Sequence, residues 1–243
     1  MSNSEINKNR NNKKPGEVKK DHAVDIRFLA MDLPRIFASM SYGLIYRPRK
    51  VYISNKRPNK KSGALVVSNH SSFTDPVIIG ITMGRRMWYL AGELAMGKKL
   101  KSTLLKGCGC IGIDRNISDI DAVRKAVNIM KRGHYLLMFP QGRLERDGEI
   151  KKLKSGAILM AWQAGVPILP VYVKKGAKWY NRATLIVGEE FRIKDYCDKK
   201  MPSMADIERL TDICEEKMHE CEHAYYEYIK KHAPAGKKSA TGV

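Results

Sequence analysis

Nowhere does this chain of 243 residues hold the run of about 18 uninterrupted apolar residues that a membrane-spanning helix needs. The nearest stretch, residues 24–46, is broken by Asp25, Arg27, Asp32, Pro34 and Arg35. Apolar and aromatic with basic residues at intervals, it suits a segment lying in a lipid headgroup region, or one packed on the protein's own core. The charged start, Met1 to Asp21, has no apolar h-region behind it, so no cleaved signal is expected. Cysteine is sparse, five residues at irregular spacing, and Cys108-Gly109-Cys110 is too tight for a zinc knuckle. Reduced thiols in a cytoplasmic compartment are the expectation. A G-x-S-x-G elbow, a Walker lysine loop, an H-E-x-x-H helix and paired CxxC units are also lacking. A covalent serine route and a metal route therefore have none of their usual signatures.

Acidic residues are few: 25 Asp and Glu stand against 45 Lys and Arg, a formal net charge of +20. Residues 1–20 carry six basic and two acidic side chains, and residues 230–243 carry four lysines and no acid, so each end contributes +4. The remaining +12 belongs to residues 21–229, and the body of the protein is itself basic. Such a surface suits nucleic acid, acidic lipid headgroups, or polyphosphate and acidic-protein carriers. Nucleic acid is disfavoured, because the chain has no RNP-type aromatic motif, zinc finger or Arg- and Asn-dense recognition helix.

The apolar fraction of 43% is ordinary for a folded domain. Residues 1–22 and 233–243 read as disordered tails. Between them, short apolar runs alternate with amphipathic segments. Ala64–Ser68, Ile111–Ile113, Tyr135–Phe139, Ile168–Val173 and Thr184–Val187 read as strands. Pro76 opens a helix, Ser118 with Asp121 opens another that Gly133 closes, and Ser155–Ala164 forms a third ending at Gly165. Ser203 with Asp206 caps a long helix with apolar Ile207, Leu210, Cys214, Met218, Cys221, Tyr225 and Tyr228 at three- and four-residue spacing. The expected fold class is α/β: a central mixed β-sheet flanked by helices, with an N-terminal membrane-contacting helical segment at 23–48 and a long C-terminal helix. The α/β domain spans 49–195, and a helical extension at 196–232 packs on it.

Polar residues concentrate at three strand ends, where function gathers in open α/β sheets. The first junction is Ser68-Asn69-His70-Ser71-Ser72-Phe73-Thr74-Asp75-Pro76. His70 and Asp75 can pair only if the chain turns between them, and such a pair is a general base whose carboxylate fixes the imidazole tautomer. Asp75 as a simple helix cap beside a solvated His70 is the alternative. The second junction, Gly112-Ile113-Asp114-Arg115-Asn116, offers an arginine fork to a phosphate. The third is Phe139-Pro140-Gln141-Gly142-Arg143-Leu144-Glu145-Arg146-Asp147-Gly148, in which Gly142 permits close backbone approach. A proton-accepting dyad beside anion-binding arginines describes a site that activates a hydroxyl on a phosphate-bearing acceptor.

These blocks resemble, in order and separation, those of the glycerolipid acyltransferases of the 1-acylglycerol-3-phosphate type. Asn69-His70-Ser71-Ser72-Phe73-Thr74-Asp75-Pro76 resembles the H-x-x-x-x-D block, and Gly112-Ile113-Asp114-Arg115 resembles the second, whose arginine binds acceptor phosphate. Phe139-Pro140-Gln141-Gly142 resembles the third, usually Phe-Pro-Glu-Gly-Thr-Arg, and Val166-Pro167-Ile168-Leu169-Pro170-Val171 resembles the fourth. The third block departs: Gln141 replaces Glu, and Arg143-Leu144 replace Thr-Arg, which bears on the acceptor more than on the reaction.

The resemblance implies transfer of a fatty acyl chain from an acyl-CoA or acyl carrier protein thioester to the hydroxyl of 1-acyl-sn-glycerol 3-phosphate. It implies catalytic His70 and Asp75, substrate-binding Arg115, Gln141, Gly142 and Arg143, and no metal or bound cofactor. Another lysophospholipid or polar-lipid acceptor is the main alternative. The implied setting is monotopic, on the cytoplasmic face of the cell membrane against anionic lipids. Lys151, Lys152, Lys154, Lys174 and Lys175 are further candidates to attract a coenzyme A or an acidic carrier protein.

Overall fold

A computed structural model of the chain describes residues 36–37, 39–59, 61–92, 105–114, 119–175 and 182–232. Seven strands form one sheet: β1 (Arg49–Tyr52), β2 (Ala64–Ser68), β3 (Met87–Gly92), β4 (Cys110–Ile113), β5 (Tyr135–Met138), β6 (Ile168–Lys174) and β7 (Thr184–Val187). Their spatial order is β1-β7-β6-β2-β5-β3-β4. Neighbours are parallel throughout except β6 and β7, so the sheet is mixed, as expected. Helices α1 (Asp75–Met83), α2 (Ile120–Lys131), α3 (Gly156–Ala164) and α4 (Met204–His232) cover it.

The strands at the centre are continuous apolar runs because both of their faces are covered. In β2, every residue is buried. Leu65 and Val67 pack with Leu136, Met138 and Tyr172 under α2, α3 and α4, while Ala64 and Val66 pack with Tyr135, Leu137 and Val171 against Ile78 and Ile79 of α1. The two-residue alternation of strand side chains thus builds two cores from one sheet. Each fully buried Leu, Ile or Val side chain contributes about 1.5–3 kcal/mol.

β1 and β3 were not among the expected strands. β1 reads RKVY, an edge strand of intermediate burial with no apolar run, and β3 (MWYLAG) mixes Met, Leu and Ala with aromatics and so shows no clear period. α2 begins one residue later than Ser118 would have it. Asp119 is its N-cap, accepting the Ala122 N–H at 2.9 Å and the Asp114 N–H at 3.2 Å, and these bonds hold the Asp119 carboxyl below its usual range. At α4, Ser203 and Asp206 close a reciprocal cap: Asp206 Oδ2 accepts Ser203 N–H at 2.9 Å, and Ser203 Oγ accepts Asp206 N–H at 3.2 Å. Ile207, Leu210, Cys214, Met218, Cys221 and Tyr225 of this helix are buried on the domain. All five cysteines are unpaired, and burial pushes Cys214 and Cys221 up to about 12. The tails at 1–22 and 233–243 lie outside the described residues. Of the segment at 23–48, residues 39–46 are helical, and Met40 and Leu44 there are exposed. No helix among the described residues is long and apolar enough to cross a membrane.

Candidate active site

Strands β2, β5 and β6 run the same way, so the loops that follow them leave one edge of the sheet together. The junctions beginning at Asn69 and Phe139 therefore converge, although some 70 residues of sequence separate them.

The first loop is held at its root by Asn69. The ladder between β2 and β6 ends at Ser68 opposite Val171. Asn69, fully buried, then uses its side-chain amide as a peptide would: Nδ2 donates to the Val173 carbonyl at 3.0 Å, and Oδ1 accepts the Val173 N–H at 2.9 Å. The backbone of β2 can turn away at His70 while the polar groups of β6 stay satisfied.

Asp75 then closes the turn. Its carboxylate, on the first residue of α1, is fully buried and folds back over the preceding loop. Oδ2 accepts the N–H of Ser71 at 2.7 Å and of Ser72 at 2.6 Å, and lies 3.3 Å from His70 Nδ1. Thr74, not Asp75, is the N-cap residue of α1, so the helix-cap alternative does not hold. A carboxylate only accepts, so this contact selects the imidazole tautomer with its proton on Nδ1 and leaves Nε2 as the free base.

Phe139 fixes the plane of the imidazole. The two rings stack with centroids 3.9 Å apart and planes 16° apart. Parallel pairing explains the encounter: Val67 lies opposite Met138, so both residues sit just past the ends of adjacent strands. The stack limits ring rotation.

The third-block loop is tied to the first by one strong bond, Glu145 N–H to the His70 carbonyl at 2.7 Å. Gly142 has φ +77°, a left-handed conformation, and an added Cβ would come within 3.1 Å of Lys154 Cε. Gln141 is almost completely buried, and its Nε2 donates to the Glu149 carbonyl at 2.8 Å. Its amide nitrogen braces the loop from inside. Arg143 is largely exposed, and its Nε lies 4.0 Å from Glu145 Oε1, whereas Lys151 grips the same carboxylate at 2.6 Å. Arg115 lies outside the described residues.

Sequence reasoning attached no role to the Phe139 ring or to the Asn69 amide. Lys175, expected from sequence only as one of five lysines that could attract a coenzyme A or an acidic carrier protein, donates to Ser72 Oγ at 2.6 Å and Thr74 Oγ1 at 3.1 Å. The signal for Phe139 and Asn69 was strand register, which a single sequence does not show. Among the described residues, no group of three His, Cys, Asp or Glu side chains is placed to hold a metal ion.

The mixed α/β sheet presents its histidine–aspartate pair at an H-x-x-x-x-D turn. The chain belongs to the acyltransferase family: the model of the family described as Acyltransferase matches residues 49–174, slightly more than half of the chain. Among its relatives, 1-acyl-sn-glycerol-3-phosphate acyltransferase of Borreliella burgdorferi (strain ATCC 35210 / DSM 4680 / CIP 102532 / B31) is 32% identical over 114 residues, 46% of each chain. The protein of the same name from Bacillus subtilis (strain 168) is 23% identical over 180 residues, 72% of this chain and 88% of that one. The crystal structure of PlsC, the 1-acyl-sn-glycerophosphate (LPA) acyltransferase of Thermotoga maritima, superposes with a TM-score of 0.58 at 19% identity, covering 82% of this chain and 81% of that one. That likeness establishes the fold. The chain spans about half the length of several of the curated relatives it matches.

Proposed function

We propose that this protein transfers a fatty acyl group from an acyl thioester to the free hydroxyl of 1-acyl-sn-glycerol 3-phosphate, giving phosphatidic acid. The observation that carries the reading is the His70–Asp75 pair, an imidazole with its Nδ1 at a buried carboxylate and its ring clamped by Phe139. In this reading Nε2 of His70 takes the hydroxyl proton as the acceptor oxygen attacks the thioester carbon. A carbon–oxygen bond forms, the carbon–sulfur bond breaks, and the proton passes from His70 to the departing thiolate. Asp75 holds the imidazole and stabilises its positive form. Arg115 is assigned the acceptor phosphate and Arg143 a supporting charge, on their places in the blocks. The names of the relatives support the acceptor, and the donor is an acyl-CoA or an acyl carrier protein.

The same reading places the protein on the cytoplasmic face of the cell membrane, at a surface of anionic lipids. Its support is the basic body together with exposed Phe37, Met40 and Leu44, and with Phe73 in the His70–Asp75 turn itself. An apolar side chain in that turn suits an acceptor that never leaves the lipid phase.

The test is a panel of lysolipid acceptors offered with both donor types to the purified protein, products read by mass spectrometry. Phosphatidic acid as the dominant product is the expected result. Acylation of other lysophospholipids in preference to the phosphate monoester would transfer the reading to that acceptor class, and no acyl transfer to any lipid would overturn it.

A further inference from the structure

Lys175 follows the last residue of β6 and crosses to the catalytic turn, where its ammonium meets the hydroxyls of Ser72 and Thr74. It also lies 5.5 Å from the centre of the Tyr46 ring. Three neutral groups therefore hold a partly buried cation, and among the described residues no carboxylate comes within ion-pairing distance of it. Lys151, Lys199 and Lys56 have such partners in Glu145, Asp206 and Glu189, whereas Lys50 and Lys174 are held, like Lys175, by neutral groups. Asp75, the carboxylate next to Thr74 in the chain, turns its Oδ2 toward His70 and the amides of Ser71 and Ser72 instead.

The position is electrostatically unusual in its place against a helix. Thr74 is the N-cap residue of α1, so Lys175 sits against the positive end of that helix. Cations favour the opposite end, and a lysine here raises a potential that already attracts anions. The hydroxyl of Thr74 is not spent on the helix, since it caps no backbone N–H, and that of Ser72 lies 3.0 Å from it. An ammonium and two hydroxyls, held together beside the dyad, form a donor cluster of the kind that receives phosphate oxygens. Partial desolvation of the ammonium is costly while no anion is present and is offset when one arrives.

We propose that Lys175, with Ser72 and Thr74, binds a substrate phosphate beside His70. This rests on the acyl-transfer reading and deepens it by naming a positioning residue outside the four blocks. Two sources share the chemistry, the phosphate of the acceptor and the phosphates of the acyl donor. The acceptor is the favoured source, because its phosphate must lie close to the hydroxyl that His70 deprotonates.

The experiment compares the full-length protein with Lys175→Met and Lys175→Arg in mixed micelles, after circular dichroism confirms folding. KM and kcat are measured for 1-acylglycerol 3-phosphate, for phosphate-free monoacylglycerol, and for the acyl donor. The expected result for Lys175→Met is a rise of about 10- to 100-fold in KM for the phosphate acceptor, with kcat within threefold. No rise is expected for monoacylglycerol, and Lys175→Arg should recover most of the loss. A rise confined to the donor KM also supports phosphate binding and assigns it to the donor. A fall in kcat with both KM values unchanged, or no change at all, overturns the proposal and reduces Lys175 to a prop for the loop. Line broadening of inorganic phosphate in phosphorus NMR gives a readout independent of turnover. Weaker broadening with Lys175→Met than with wild type supports the proposal even if the wild type acylates no lipid, and equal broadening in an active enzyme overturns the proposal alone.

Discussion

Two histidine–carboxylate pairs occur among the described residues, and distance does not distinguish the one proposed for chemistry from the other. His219 and Glu222 stand 3.1 Å apart, closer than His70 and Asp75 at 3.3 Å. The difference lies in what surrounds them. His219 and Glu222 are three residues apart on α4, a spacing any helix brings together, and the imidazole there is 41% exposed. His70 is 16% exposed and Asp75 not at all, and they meet across a turn that two backbone amides, the Asn69 anchor and the Phe139 ring hold in one shape. A pair that helical geometry supplies for free carries little information. One that requires four other groups to exist is shaped by the fold around it, and the task proposed for that shape is proton transfer.

The largest effect should come from deleting each imidazole in turn. His70→Ala is expected to lower turnover by about 10²–10⁴, the value of a positioned general base, with the fold retained by circular dichroism. His219→Ala should leave turnover at the wild-type level. Equal turnover in the two variants would erase the distinction and with it the catalytic role of His70.

A second effect sharpens the contrast in stability. Asp75→Ala leaves the Ser71 and Ser72 amides without their acceptor, and each unmet buried donor costs about 1–3 kcal/mol, to be read as a lower urea midpoint. His219→Ala is expected to stay within about 0.5 kcal/mol of wild type, as surface changes do.

The smallest effect concerns a third histidine. Burial, with help from Arg85, Arg132 and Arg86, holds His134 below the usual imidazole range. The unfolded chain then binds this proton first as pH falls. The stability that His134 permits is complete above about 6.5, the ordinary value, and is lost as pH drops from there toward the folded value. Urea titrations at pH 5 and pH 8 should show a larger acid loss for wild type than for His134→Gln; equal losses would show that folding does not hold the His134 proton affinity down.

The pattern of legibility follows the same division between local and distant causes. β2, β5, β6 and β7 could be read from sequence because each is a continuous apolar run, and the long helix because its period and Ser203–Asp206 cap are local. β1 and β3 could not, since their pairing partners supply what their own sequences lack. His70 and Asp75 were readable because five residues are few enough for the turn to be imagined. Phe139 and Lys175 meet that turn only through strand order and register, information held by the sheet as a whole.

The one antiparallel pairing among the described strands has a consequence for where the chain tolerates change. Because β7 returns alongside β6, with Lys174 opposite Thr184, the connection between them leaves from and returns to neighbouring strand ends. A connection of another length or composition can join those ends while both strands keep their hydrogen-bonded partners.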